Sequence, residues 1–286
     1  MALKETRETP IAAKSHASRG VPSGEMLARV LYRDGLMLII DKPAGLSVHR
    51  GPKGGPSLED YLDALRYGLP RRPELAHRLD KDTSGCLVLG RHRKALAHLG
   101  LLFKHRKVGK TYWAVVEGGP TDDEGTIDLA LGRLDDRIGW WMKPDPNGVP
   151  AVTKWKVMGR SGGVAADSAL SAPSPACGGG WGGESREHSS PPQARAQPPL
   201  TWLELEPLTG RTHQLRVHCA AKGWPIVGDD IYGTAPRFRG PMLHLHAREI
   251  VVPISKNKPP VRVAAPVPAH LRERLAACGW REGSAP

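Results

Sequence analysis

The sequence predicts an α+β domain. Segments with the two-residue alternation of strands are separated by Gly- and Pro-marked turns, and at least two stretches carry the three-to-four residue period of an amphipathic helix. With 286 residues the chain can bury a sizeable core. It shows no repeat of 20–50 residues that would indicate a solenoid.

The pattern becomes strand-like at Ala28-Arg29-Val30-Leu31-Tyr32, turns at Asp34-Gly35, and continues in the apolar run Leu36 to Ile40. Pro43 and Gly45 end that run. Leu58 to Leu65 reads as a short helix behind Ser57. A further apolar run, Cys86-Leu87-Val88-Leu89, follows a polar turn. Arg93 to Lys104 reads as a helix, because Leu96, Leu99 and Phe103 recur at i, i+3 and i+7. Lys110 to Val116 is the next strand, with Tyr112, Ala114 and Val116 on one face. Leu200 to Leu205 alternates cleanly. From Leu208 the chain reads as a turn and a helix, with Thr212 as N-cap, Leu215 and Cys219 sharing a face, and Gly223 and Pro225 as the stop.

Two regions lie outside this pattern. Residues 1–25 read as a loose polar arm ahead of a catalytic domain spanning 26–280. Within that domain Gly, Ser, Pro and Ala supply 27 of the 40 positions from 161 to 200. Such a segment buries too little apolar surface to offset chain entropy, so a disordered insertion is expected there.

Composition narrows the function classes. Lys and Arg outnumber Asp and Glu by 12, and the pI is about 9.8, a balance that favours a polyanionic partner. Cys86, Cys177, Cys219 and Cys278 form no CxxC pair, which speaks against a zinc site or a disulfide framework. No run of about 18 apolar residues exists to span a membrane. The N-terminal stretch has no apolar core and contains Glu5 and Glu8, so a cytoplasmic location is expected. His244 and His246 share a strand face, but no carboxylate or thiolate stands at ligand spacing, and no metal is expected. Gly51 to Gly55 lacks the spacing of a nucleotide-binding loop.

The chemistry concentrates in two blocks. His77-Arg78-Leu79-Asp80-Lys81-Asp82-Thr83-Ser84-Gly85 sets a carboxylate beside a guanidinium at the lip of a buried strand. Asp80 is the candidate reactive acid and Asp82 the candidate turn cap. The second block, Leu208-Thr209-Gly210-Arg211-Thr212-His213-Gln214-Leu215-Arg216-Val217-His218, follows about 130 residues later.

The first block resembles the HRLDxxTSG motif of the RluA-type RNA pseudouridine synthases, and the second their GRxHQIR element. Ile40 to His49 and Gly223 to Gly233 resemble further elements, so the likeness spans roughly residues 28–272. The resemblance implies a long, mixed, largely antiparallel sheet with flanking helices and a central catalytic cleft. It implies an isomerase that turns specific uridines of structured RNA, rRNA or tRNA, into pseudouridine without cofactor or metal, acting as a monomer. Asp80 would be the catalytic nucleophile, Arg216 its ion-pair partner and Tyr112 the active-site aromatic. Arg78 would fill the space left by a flipped base, and Leu215 would wall the base. His77, Leu79 and Arg211, beside them in the two blocks, are expected to contact substrate. Many relatives carry an N-terminal S4 domain; about 27 residues precede the first strand here, so RNA capture is expected to rest on the domain's own basic surface. Two other readings are a silent RNA-binding module and a hydrolase using Asp80 with Asp82. The first fits poorly with the full set of reactive positions, the second with two acids on opposite sides of an extended chain.

Overall fold

Two continuous apolar runs, Met37 to Ile40 and Cys86 to Leu89, are buried along their whole length. A strand buried on both faces belongs inside a sheet that is covered on both sides. The two runs pair antiparallel, with Leu38 opposite Leu89 and Ile40 opposite Leu87. Leu38, Ile40, Leu87 and Leu89 pack on one face, and Met37, Ile39, Cys86 and Val88 on the other.

The computed structural model describes residues 23–51, 54–135, 140–162, 198–255 and 257–283. In chain order these form α1 (Ser23–Ala28), β1 (Val30–Arg33), β2 (Met37–Lys42), two 3-10 turns (Leu58–Tyr61 and Ala64–Arg66), β3 (Glu74–Leu75), β4 (Ser84–Gly90), α2 (Arg93–Lys104), β5 (Gly109–Glu117), β6 (Glu124–Asp128), β7 (Leu131–Arg133), β8 (Met142–Pro144), β9 (Val152–Arg160), β10 (Leu200–Pro207), α3 (Gln214–Ala221), β11 (Leu245–Val252), β12 (Val261–Ala264) and α4 (Ala269–Ala277). Ten strands make one sheet in the order β1-β2-β4-β11-β5-β10-β9-β6, with β3 on β4 and β12 on β11. β7 and β8 form a separate ribbon. Every pairing within the ten-stranded sheet is antiparallel except β11 with β4, so the sheet is mixed and largely antiparallel, as the family resemblance implies.

Alternation in β5 and β11 sorts the core. Trp113 and Val115 face Leu271 and Leu275 of α4, while Leu99 of α2 packs with Met37 and Val88 on that same side. The opposite side carries two clusters. One joins β2 and β4 to the 3-10 turns through Leu58, Tyr61 and Leu65. The other joins β5 and β10 to α3 through Leu215 and Cys219. Tyr112 packs against both, and the cleft opens at this joint.

Several local expectations change. Ser23–Ala28 is a short helix whose Met26 is buried in the core, so regular structure begins within the segment read as an arm; residues 1–22 lie outside the described residues. The helix expected from Leu58 to Leu65 is two 3-10 turns, the first started by Asp60 accepting the Ser57 amide at 2.9 Å. The helix of the second block begins after His213 rather than Thr212. Most of the 161–200 stretch lies outside the described residues. Its two ends, however, meet: Arg160 pairs with Thr201, and the Ser161 amide donates to the Leu200 carbonyl at 2.8 Å.

Candidate active site

The Asp80 turn is held by what surrounds it. The Thr83 amide donates to the Asp80 carbonyl at 3.3 Å, and β4 begins at the next residue. Gly85 has φ +105, and a Cβ there would lie 2.3 Å from the Ala247 carbonyl oxygen. Only glycine permits both the backbone angle and the approach of β4 to β11. Lys42, buried completely, secures the other side. Its Nζ donates to the carbonyls of Pro43, Leu46 and Lys81 at 2.8–2.9 Å. Burial pushes the Lys42 ammonium down to about 7, against the pull of Asp82, Asp80 and Asp41.

The second block is bolted to β9 by its own polar side chains. Gln214 accepts from the Thr209 hydroxyl (2.7 Å) and the Arg211 amide (3.0 Å). It donates to the Val152 carbonyl (3.0 Å) and the Thr153 hydroxyl (2.9 Å). A buried amide with both ends satisfied fixes the start of α3. His213, left-handed at φ +52, turns its imidazole toward the Asp80 turn. Its Nε2 lies 3.9 Å from Asp80 Oδ1 and its Nδ1 2.8 Å from the Tyr232 hydroxyl.

Between the blocks lies a cavity of about 480 Å³, a volume suited to a small ligand or a single nucleotide. Its lining includes all eight residues singled out from the sequence: His77, Arg78, Leu79, Asp80, Tyr112, Arg211, Leu215 and Arg216. Asp80 is partly open to solvent, with one fifth of its side chain exposed. Leu79, Leu215 and Leu245 are buried beside it, so an uncharged ring entering the cavity meets an apolar wall. Burial, reinforced by the Asp80 charge and then Cys86, pushes the Tyr112 phenol above its ordinary value. Tyr112 is therefore a neutral hydroxyl at neutral pH. Arg78 is exposed at the mouth.

The chain belongs to the RNA pseudouridine synthases. Residues 36–221, bearing both motif blocks, match the family described as RNA pseudouridylate synthase. An uncharacterized RNA pseudouridine synthase of Zymomonas mobilis is 38% identical over 244 residues, covering 84% of this chain and 94% of that protein. A ribosomal large subunit pseudouridine synthase C of Vibrio cholerae is 30% identical, covering 94% of this chain and 77% of that one. Among solved structures, human RNA pseudouridylate synthase domain containing 1 superposes with a TM-score of 0.60 at 28% identity, covering 84% of this chain and 83% of the other. As a member of this family the protein is an isomerase that converts uridine to pseudouridine in RNA.

Within this synthase, two residue assignments made from the sequence, the partner of Arg216 and the capping role of Asp82, are corrected. Arg216 does not form an ion pair with Asp80. Its Nε and Nη2 each meet a carboxylate oxygen of Asp229 at 2.7 Å, and Nη2 lies 3.6 Å from Asp230. Burial would raise the Asp229 carboxyl, but the hydrogen bonds and charge of Arg216 outweigh it and hold the group below its ordinary value. Arg216 acts on Asp80 only through space. Asp82 caps no amide; among the described residues it makes no side-chain hydrogen bond and lines a neighbouring cavity of about 180 Å³. His77 borders the main cavity, yet its Nε2 accepts the Val88 amide at 3.0 Å and its ring stacks on Phe103. Its accepting nitrogen is therefore already committed. Lys42, His213, Asp229 and Tyr232 were not singled out, although all four fall in segments that carry the family resemblance. A lysine ending an apolar run, as Lys42 does, was the readable signal.

Proposed function

We propose that this pseudouridine synthase acts on ribosomal RNA, with Asp80 as the carboxylate that works on the sugar of a uridine flipped from its stack. The reaction breaks the N1–C1′ bond and joins C5 to C1′; C5 loses a proton and N1 gains one, so neither redox chemistry nor water is needed. A carboxylate must either attack the sugar or remove its C2′ proton, and an enclosed space must retain the freed uracil. The observation that carries the reading is that Asp80 and Tyr112 line one cavity walled by Leu79, Leu215 and Leu245. Tyr112 offers its ring to the uracil. Arg78 at the mouth occupies the gap the base leaves, which offsets part of the few kcal/mol that unstacking costs.

The RNA strand follows the cationic rim. Arg106 and Lys107 line one side of the cavity. The neighbouring cavity shares Arg216 with the main one and is bordered by Arg237 and Arg239, which flank Phe238, 86% exposed. An exposed aromatic between two guanidiniums suits base stacking with phosphate contact. Ribosomal RNA is favoured over tRNA by similarity, over 94% of this chain and 77% of the other, to the Vibrio cholerae protein named for the large ribosomal subunit.

Unmodified ribosomal RNA and bulk tRNA transcripts incubated with the protein, then mapped for pseudouridine, test this. Conversion in ribosomal RNA is expected, with none for Asp80→Asn and near-normal conversion for Asp82→Asn. Conversion confined to tRNA would refute the substrate, and an active Asp80→Asn enzyme would refute the carboxylate.

A further inference from the structure

His213 opens α3 in a conformation that side-chain-bearing residues rarely adopt, at φ +52 and ψ 18. Strain of this kind persists where surrounding contacts impose it, and it concentrates at functional sites. The imidazole is only 4% exposed. Trp140 meets its ring edge-on at 5.3 Å and Tyr232 at 5.5 Å. Both nitrogens have a defined outlook: Nδ1 on the Tyr232 hydroxyl at 2.8 Å, Nε2 on Asp80 Oδ1 at 3.9 Å.

The Tyr232 hydroxyl decides where the imidazole proton sits. That oxygen already accepts the Met142 amide at 2.9 Å. If its own proton goes to Nδ1, the imidazole proton must be on Nε2 and points at Asp80. In the opposite arrangement Nδ1–H would take the second lone pair of the hydroxyl. The phenolic proton would then have no acceptor among the described residues, and a bare Nε2 lone pair would face a carboxylate oxygen. The first arrangement gives the phenolic proton an acceptor in Nδ1 and turns Nε2–H toward Asp80; the second does neither.

We propose that His213 is a positioning residue for the reaction, its Nε2–H held toward the Asp80 carboxylate by the hydroxyl of Tyr232. This rests on Asp80 being the reacting carboxylate. At 3.9 Å the contact is longer than a hydrogen bond, and such contacts in unliganded sites shorten in the substrate complex. The arrangement has a chemical advantage over a direct guanidinium pair. A carboxylate clamped by two guanidinium hydrogen bonds is a weak nucleophile and a weak base, and here that clamp falls on Asp229. A single neutral donor orients Asp80 while leaving a lone pair free for the sugar. Asp80, Arg216, Asp229, Arg78 and Tyr232 all bear on the ring. Burial, the largest influence, holds the imidazole below its ordinary range despite the pull of Asp80, which keeps it a neutral donor at neutral pH.

The test uses the full chain with 15N-labelled histidine. The His213 signals, identified by their loss in His213→Asn, are expected to show the proton on Nε2, to shift in Asp80→Asn, and to become a tautomer mixture in Tyr232→Phe. Asparagine tolerates the left-handed backbone and has no counterpart of the ring nitrogen that faces Asp80. Single-turnover rates at saturating enzyme should fall roughly tenfold in Tyr232→Phe and further in His213→Asn, with RNA affinity unchanged, as expected for loss of one oriented hydrogen bond. A proton found on Nδ1, or a Tyr232→Phe enzyme with wild-type turnover, overturns the proposal while leaving the Asp80 reading intact. A fully active Asp80→Asn enzyme overturns both.

Discussion

Arg216 commits its guanidinium to Asp229, and both side chains are almost fully buried, at 4% and 1% exposure. Asp229 is satisfied further by the Ile231 and Tyr232 amides at 3.0 and 2.9 Å. Removing one member of such a pair strands a buried charge, which costs about 3–5 kcal/mol. Arg216→Ala should therefore lower stability by that order in urea denaturation, and Arg216→Lys by less, since a point charge replaces a two-pronged donor. Had Arg216 paired with the more open Asp80, the same variant would lose turnover with its stability largely kept; finding that pattern would refute the assignment. The motif made Arg216 legible as a site residue but not its partner. Asp229 comes to it only because the chain after α3 folds back. Gly228, at φ +80, lies so close to the Met242 carbonyl that a Cβ there would stand 2.2 Å from that oxygen, and nothing in the spacing of the two blocks encodes that return.

At the scale of elements, the junction of β4 with β11 brings the Asp80 turn beside Tyr112. The pairing is short, His246 with Ser84 and Ala247 with Gly85, and Ala247 in turn pairs with Tyr112. Gly85→Ala combines a forbidden backbone angle with a backbone collision. It should cost about 2–5 kcal/mol, the sum of strain and overpacking, and should impair turnover by displacing Asp80. Gly35→Ala is the control, because a Cβ there meets nothing within 4 Å; its stability should change by less than about 1 kcal/mol. Equal losses in the two variants, measured by denaturation, would show that the junction does not hold the turn. The strands nearest this junction were the legible ones, since burial on both faces or strict alternation marks their sequences. β9 was not read, because its alternation of buried Thr153 and Trp155 with exposed Lys154 and Lys156 is short and contains little apolar surface. α4 was missed for a similar reason: only Leu271 and Leu275 of its nine residues are buried.

The whole molecule carries a formal charge of +12 and meets a polyanion, so RNA affinity should fall linearly with salt on logarithmic axes. Because β9 and β10 pair up to Arg160 and Thr201, replacing residues 163–197 with a short turn should leave that slope unchanged; a flatter slope would assign cationic contacts to the insertion. The same fold makes the protein sensitive to acid. His77 and His246 are pushed down to about 3 and His244 to about 4, in each case chiefly by burial. Their ordinary value is 6.5. Below that pH the unfolded chain takes up protons that the folded chain refuses, so this stability is complete above about 6.5 and is lost progressively as pH falls toward about 4 for His244 and about 3 for His77 and His246. Asp41, raised to about 6 by burial, works in the opposite direction between 3.8 and 6 and moderates the loss. Each such histidine contributes a slope of about 1.4 kcal/mol per pH unit in this window. His246 accepts or donates a hydrogen bond with the Ser84 hydroxyl at 2.9 Å, a contact that glutamine can replace without titrating. His246→Gln should accordingly make the decline between pH 6 and pH 4.5, followed by urea denaturation, shallower by about that one-proton amount. An unchanged slope would mean that His246 becomes protonated within the folded protein, contrary to its burial against Ser84.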